Sequence, residues 1–481
     1  MNSGFTKENL VSEPLRRGCR GTLPLDARLE PWMCMWLNSE APLDAVQQYG
    51  SPLNVVCTEP MDRNVRELQC VARDRGLDFQ IFFARKSNKC LSLVDRTVAL
   101  AIGVDTASEN ELQQCLERGV QQADLICTAA IKNDSLIDLC IARGVCIAVD
   151  NHDELDAVVA SAERLAKRAT IAIRLGGFWH DGAKLVTRFG FDVDRDLEWV
   201  AELAKHPIDV AGIHFHLDGY AASERVSALT TSLRWIETLR ASGHTPRFID
   251  MGGGFPMSYL EHAHQWNQFW NQHERALLEN RNAVTYRNHA LGRHVVEGAV
   301  HGPPNCYPYY QRLTRSAWLA SVLDHSLDGQ TIAHQLRKAK VQLRCEPGRS
   351  LLDGCGLTIA QVEFRKRNAA GDWLIGISMN RTQCRTSSDD FLVDPILLPS
   401  SKDHRSPMAG YLVGAYCTES ELLSVRRLEF PHGIERKDLI VFPNTAGYLM
   451  HFLESRSHQF PLAKNVVLSE DGLSLDPIDR T

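Results

Sequence analysis

The sequence predicts an α/β fold: a (β/α)8 barrel followed by a mostly β domain. Three observations carry that prediction. Eight short apolar runs recur between about residues 81 and 345, most of them are separated by amphipathic stretches, and after Gly356 the texture changes to strands joined by loops. Strands that alternate with helices build a parallel sheet, and eight such units suffice to close one into a barrel. A doubly wound open sheet is the structural alternative.

In chain order the runs are Ile81–Ala84, Ala101–Val104, Ala123–Cys127, Val145–Val149, Thr170–Leu175, Val210–Phe215, Phe248–Met251 and Val341–Cys345. Ser108–Arg118 and Ser135–Arg143 read as helices between them, and the first opens with the capping-box pattern Ser108-x-x-Glu111. Leu357–Phe364, Trp373–Met379, Gly410–Val413 and Asp438–Phe442 read as strands of the C-terminal domain. Ser51–Val56 reads as a further strand ahead of the barrel that pairs with the C-terminal sheet, making that domain discontinuous. The expected organisation is an N-terminal segment 1–58 contributing in part to the β domain, a barrel over 59–355, and the β domain over 356–481. The stretch at about 261–340, between the seventh and eighth strands, is longer than a usual barrel connection and rich in Trp, Tyr, His and Asn. It reads as an inserted helical subdomain or lid, or equally as a solvated insertion with no role in chemistry.

Bulk properties narrow the function classes. The 481 residues are 44% hydrophobic and 23% charged, an ordinary globular balance. Net charge is −6 with no long basic run, so neither nucleic acid nor an anionic membrane is an expected partner. Met1–Glu30 mixes charges with Gly and Pro, and no segment has signal-peptide or membrane-span character, so the expected location is cytoplasmic. The 14 cysteines are scattered without a Cys-x-x-Cys pair, which favours neither a disulfide framework nor a zinc site, and no metal is expected.

Barrel active sites lie where the strands end. Strand one ends in Ala84-Arg85-Lys86-Ser87-Asn88, strand five in Arg174, and strand six in His214-Phe215-His216. Strand seven runs into Asp250-Met251-Gly252-Gly253-Gly254-Phe255-Pro256, and strand eight into Glu346-Pro347-Gly348-Arg349. Singly, each has an ordinary reading as a solvated lysine, a core histidine or a tight turn. Together they place a lysine, a histidine, a glycine loop and a carboxylate on one rim. Pyridoxal phosphate suits that set. Its aldehyde needs a lysine amine, its phosphate needs backbone N–H donors that no side chain obstructs, and its ring nitrogen needs a carboxylate to hold a proton.

These residues resemble those of a known family, the fold type III (barrel-type) pyridoxal-phosphate decarboxylases, whose barrel is of the alanine-racemase kind. The family includes ornithine, diaminopimelate and biosynthetic arginine decarboxylases. The resemblance runs from about Leu43 to Phe452, interrupted by the insertion. Tyr49-Gly50-Ser51-Pro52 looks like the family's Tyr-Gly-Thr-Pro entry, and Phe83-Ala84-Arg85-Lys86-Ser87-Asn88 is similar to its lysine motif. Gly103–Ser108 looks like its second-strand signature, and Gly212-Ile213-His214-Phe215-His216 like its histidine strand. Gly252-Gly253-Gly254-Phe255 and Glu346-Pro347-Gly348-Arg349 are nearly identical to family motifs.

The resemblance implies roles. Lys86 would bond the cofactor aldehyde, with Asp105 as its ion partner, and His216 would stack on the ring. Gly252, Gly253 and Gly254, with Gly348 and Arg349, would bind the phosphate, and Tyr448 would reach it too. Glu346 would pair with the ring nitrogen and Arg174 would lie near the ring. Cys417 would protonate the product carbanion from the partner subunit, which implies a homodimer with shared active sites acting on a small amino-acid substrate.

The departures concern the substrate. Where the family has an acid after the cysteine, this chain has Thr418, followed by Glu419 and Glu421. Asp218-Gly219 replaces the family's Gly-Ser after the histidine strand, removing one expected phosphate ligand. The family's Arg-Pro segment appears as Arg385-Thr386-Ser387-Ser388, where Arg385 is a candidate for binding a carboxylate. With the insertion, these changes point to an unusual substrate, diamino-acid-like, peptide-like or from a siderophore pathway. Two other readings stay open. A racemase or epimerase on this barrel would carry an arginine at the ring nitrogen, against Glu346, although Tyr416 suits it. A non-catalytic cofactor-binding regulator would have no need of Lys86, His216, Glu346 and Cys417.

Overall fold

The computed structural model describes residues 13–195, 198–279, 284–386, 391–401, 403 and 405–480, so Ser387 and Ser388 lie outside the described residues. The chain divides into two compact units. One comprises Met61–Pro256 with Leu313–Leu351. The other comprises the chain up to Pro60, Met257–Arg312 and the chain from Leu352 onward.

The first unit is the barrel. Its strands are β1 (Phe79–Ala84), β2 (Gly103–Thr106), β3 (Leu125–Cys127), β4 (Cys146–Val149), β5 (Ala169–Gly176), β6 (Ile208–Phe215), β7 (Phe248–Asp250) and β8 (Gln342–Cys345). Each pairs in parallel with the next and β8 returns to β1, so the sheet is closed. Local signals set the helices between them. Ser108 Oγ accepts the N–H of Glu111 ahead of helix Glu109–Glu117, while the Glu111 carboxylate reaches Ala107 N–H. Asn133 and Asn151 cap the helices Asp134–Arg143 and His152–Arg164 in the same way.

Residues that alternate along a strand face one side of it, so the barrel interior fills in layers. Phe82, Ile126, Cys146, Ala172, Ala211 and Phe248 form an apolar floor, and the Arg344 guanidinium lies 3.7 Å from the Phe248 ring centre. Two residues further along β3, β5, β7 and β8 come Thr128, Arg174, Asp250 and Glu346, all buried. Strand β6 has a register shift between Val210 and Gly212, and this bulge lets His214, an odd three residues beyond Ala211, face inward as well.

The structure differs from the expected insertion at about 261–340. Only Met257–Arg312 leaves the barrel unit, whereas helices Arg315–Leu323 and Ile332–Ala339 belong to it. The physical reason is the parallel pairing of β7 with β8, whose connection must cross back along the sheet and does so through a helix. Trp318 Nε1–H donates to Tyr220 O at 2.8 Å, and Arg315 meets Glu67 at 2.9 Å.

The second unit is built on the strand Gly356–Arg367, which pairs antiparallel with Leu53–Val56, Leu439–Pro443 and Trp373–Ile377. Lys464–Ser469 then pairs with Leu53–Val56, so N-terminal and C-terminal segments share one sheet. Leu53, Val55, Leu357, Ile359 and Val441 pack against Trp32 and Met33 of the helix Pro31–Leu37. Met257–Arg312 contributes the helix Ala263–Leu278 and the hairpin His294–Val296/Ala299–His301. Among the described residues no helix is long and apolar enough to cross a membrane.

Candidate active site

One end of the barrel gathers most of the singled-out residues. β1 runs into a short turn that presents Lys86, whose Nζ donates to Asp105 Oδ2 at 2.7 Å, and Thr128 Oγ1–H donates to the other Asp105 oxygen. Burial and the nearby Glu346 push the Asp105 carboxyl above its usual range, and Lys86 pulls it back.

Arg174 spends its guanidinium on three partners. Nη1 donates to Asp150 at 2.9 Å, Nη2 to Thr128 O at 2.9 Å, and Nε to His214 Nδ1 at 3.1 Å. An arginine N–H can only donate, so His214 Nδ1 must accept and the proton of the neutral ring sits on Nε2. That Nε2–H donates to Glu346 Oε1 at 3.1 Å. Burial, then the positive charge of Arg174, holds the His214 imidazole well below its ordinary pKa, which agrees with the neutral tautomer. Burial raises Glu346, while Lys86 and Arg174 favour its anion. The result is a buried chain, Asp150–Arg174–His214–Glu346, that ends on the carboxylate.

His216, two residues along, lies on the same face of the strand, and its Nδ1 accepts Gly253 N–H at 3.2 Å. Burial and then Lys86 keep it neutral too. Gly252 has φ +63°, and a Cβ there would fall 2.4 Å from Phe215 O, so the backbone turns where only glycine fits. Asp250 Oδ1 accepts Gly252 N–H at 2.9 Å. Burial and the neighbouring Glu346 push Asp250 well above the carboxylate range. Gly348 is buried and Arg349 half-buried just beyond Glu346.

His214, Asp250 and Glu346 bring ligand atoms within 4.8 Å of one another, a spacing that a cation also fits. Lys86 and Arg174 beside them already supply positive charge, so a single N–H facing Glu346 suits the electrostatics better.

The remaining candidates lie in the other unit. Cys417, Thr418 and Glu419 are exposed on one loop, and the Glu419 carboxylate stands 3.9 Å from Arg287. Arg385 Nη2 donates to Leu422 O at 3.0 Å, which ties it to the same loop. Glu421, by contrast, turns inward and accepts Arg381 N–H at 2.7 Å, so it is spent on holding the loop. Tyr448 follows the strand Leu439–Pro443 at φ +69°.

His214 and Asp250 stand in the strand ends without an assigned role, and Asp150 and Arg225 belong to no motif that the sequence singles out. Strand periodicity is the available signal for His214, because residues i and i+2 share a face and His216 is the residue expected to stack on the ring.

A family model described as the pyridoxal-dependent decarboxylase, pyridoxal binding domain, matches residues 62–288. An uncharacterised protein of Sinorhizobium fredii is 30% identical, with 89% of this chain and 90% of that protein aligned. The diaminopimelate decarboxylase of Halalkalibacterium halodurans is 26% identical over 44% of this chain and 52% of its own length. In fold, the chain is similar to the crystal structures of a diaminopimelate decarboxylase from M. jannaschii (TM-score 0.69, 17% identity, 90% of each chain) and a lysine/ornithine decarboxylase from Vibrio vulnificus complexed with putrescine (TM-score 0.65, 16% identity, 92% of this chain and 100% of that one). A closed barrel whose rim carries the lysine, histidine, glycine and glutamate motifs, and whose sequence matches the pyridoxal-binding domain, belongs to the fold type III pyridoxal-phosphate-dependent decarboxylases.

Proposed function

We propose that this chain decarboxylates an amino acid or amino-acid conjugate, with Lys86 bonding the cofactor and Glu346 facing its ring nitrogen. The observation that carries this reading is the pairing of Lys86–Asp105 with His214–Glu346 at one buried barrel end. The residues present fit pyridoxal phosphate. A lysine amine stands beside a carboxylate, a second buried carboxylate receives a fixed N–H, and the glycine loop has no side chain to obstruct a phosphate. Bound there, the cofactor supplies an aldehyde for the substrate amine and a ring that accepts the electrons released with CO2.

The roles proposed for the protein's own residues are these. Asp105 orients the Lys86 Nζ. Glu346, favoured as an anion by the His214 Nε2–H, holds a proton at the ring nitrogen. His216 offers a flat neutral face, and Gly252, Gly253, Gly254, Gly348 and Arg349 seat the phosphate. Arg385, Thr418 and Glu419 contact substrate, and the Cys417 thiol returns a proton after CO2 leaves.

For Cys417 to do so we infer a homodimer with shared sites. Phe364, Phe452, Leu453 and Phe460 are exposed apolar side chains on the same unit as Cys417. Phe364 and Phe460 line a cavity of about 290 Å³ together with Gly414 and Ala415, just before the cysteine. Exposed apolar surface of this kind supports burial against a partner.

The test is the visible absorption of the purified protein, before and after borohydride, compared with Lys86→Ala. A band in the native protein that borohydride removes and the variant lacks supports the assignment. CO2 release is then screened over L- and D-amino acids and their conjugates. A native protein that gains no band after added pyridoxal phosphate refutes the reading.

A further inference from the structure

We propose that Arg225 is a positioning residue for the cofactor's phosphate, a buried guanidinium behind Gly254 that supplies positive charge where Asp218-Gly219 has removed a hydroxyl. The proposal rests on the reading that the phosphate seats at Gly252–Gly254 with Arg349.

Arg225 lies in the first turn of the helix Ala222–Ala241 and is fully buried. Its Nη2 donates to Leu217 O at 2.9 Å and Gly219 O at 2.8 Å, and Nη1 to Asp218 O at 3.4 Å. These three carbonyls belong to the segment that follows β6, where the departure from the family pattern occurs. Gly254 is packed against the same group, for a Cβ there would fall 2.0 Å from Arg225 Nη2. The guanidinium therefore sits directly behind the third glycine of the cradle.

Its charge is poorly matched. Nε has no hydrogen-bond partner among the described residues. Among the described residues the one carboxylate in ion-pair range, Glu224, is 3.6 Å away, beyond hydrogen-bond reach, and partly exposed. Burial lowers the guanidinium pKa to about 10, and the nearby Glu224, Tyr220 and Asp218 do not offset it. A buried charge is costly unless something pairs with it, and a phosphate on the far side of Gly254 is an anion of the right sign. Bracing the loop alone explains less, because Trp318 already fixes Tyr220 O from another helix.

The experiment is a titration of the cofactor-stripped protein with pyridoxal phosphate and, separately, with pyridoxal, which lacks the phosphate. The proteins are wild type, Arg225→Gln, Arg225→Met and Arg349→Met. Loss of a charge-assisted interaction weakens binding by about tenfold or more. Arg225→Gln, which keeps an amide donor for the loop carbonyls, is expected to lose that much affinity for pyridoxal phosphate and none for pyridoxal. Equal weakening of both ligands would mean a bracing role and overturn the proposal. Arg349→Met separates the two levels. If it changes the ratio while Arg225→Gln does not, only the Arg225 assignment falls. If it leaves the ratio unchanged, the phosphate seat itself is misplaced and the proposal falls with it. Should both Arg225 variants fail to fold, inorganic phosphate must still raise the melting temperature of the cofactor-free wild type, and no rise overturns the proposal.

Discussion

Replacing His214 with phenylalanine removes the link between Arg174 and Glu346 while roughly keeping the ring's shape. Arg174 keeps Asp150 and Thr128, two of its three partners, so the wall of the barrel stays anchored. Glu346 loses the one N–H that the imidazole aims at it across 3.1 Å. A hydrogen bond to a charged group contributes about 1.5–3 kcal/mol, a factor of about 10–150. The expected outcome is a kcat lowered by about that range with KM nearly unchanged, because the imidazole touches the carboxylate rather than the substrate. Single-turnover CO2 release reads the chemical step, and the visible spectrum checks that the cofactor is still bound. His214→Asn, which can still donate, is expected to recover part of the loss. A phenylalanine variant with bound cofactor and unchanged kcat would refute the reasoning, since Glu346 would then need no donor.

Three further outcomes follow from the same geometry. Gly254→Ala forces φ +81° on alanine and drives a Cβ into Arg225, so the melting temperature should fall, with a cost above about 2 kcal/mol, and cofactor affinity should fall with it. Cys417→Ala alters an exposed side chain, so stability should change by less than about 0.5 kcal/mol while turnover falls by about 10²–10⁴-fold. An unchanged turnover would remove Cys417 from the mechanism. The third concerns pH. His214 and His216 are held below their ordinary pKa in the folded protein. The unfolded chain therefore takes up protons first as pH falls through about 6.5, and the stability these histidines contribute above that value is lost below it. Asp250, raised by burial, acts with the opposite sign. The difference in melting-temperature slope between wild type and His214→Phe isolates the histidine. The variant should be flatter below pH 6.5, and identical slopes would contradict the buried neutral assignment.

The eight barrel strands are legible because each is a compact apolar run, and five of them end in a chemically distinctive residue. The β unit was harder to read. Ile396–Leu398 forms a three-residue strand between Pro395 and Pro399, and local sequence there reads as a loop until Leu439–Pro443 supplies its partner. Lys464–Ser469 is a strand because Leu53–Val56, some 400 residues earlier, gives it an edge to join. The helices Arg315–Leu323 and Ile332–Ala339 fall in a segment that reads as an insertion, because its length hides the need for a crossover. In the site, Lys86, His216, the glycines and Glu346 stand out by motif. Asp150, Arg174 and His214 form one chain only because three neighbouring strands point them at the same centre, and no single stretch of sequence carries that. Arg225 lies on a helix whose periodicity buries it, and only the close approach of Gly254 connects it with the cradle.

The discontinuity of the β unit has a consequence for how the chain is made. Leu53–Val56 is synthesised early, yet both of its sheet partners, Gly356–Arg367 and Lys464–Ser469, follow the last barrel strand. While the ribosome works through the barrel, that early segment waits with both edges unpaired, and its Leu53 and Val55 lack their core. The barrel can close once Leu351 has emerged, whereas the unit that bears Cys417 cannot. Unpaired apolar edges invite association between nascent chains. Slow translation late in the message, or a deletion that removes Lys464–Ser469, should therefore send this protein into aggregates with its barrel already formed.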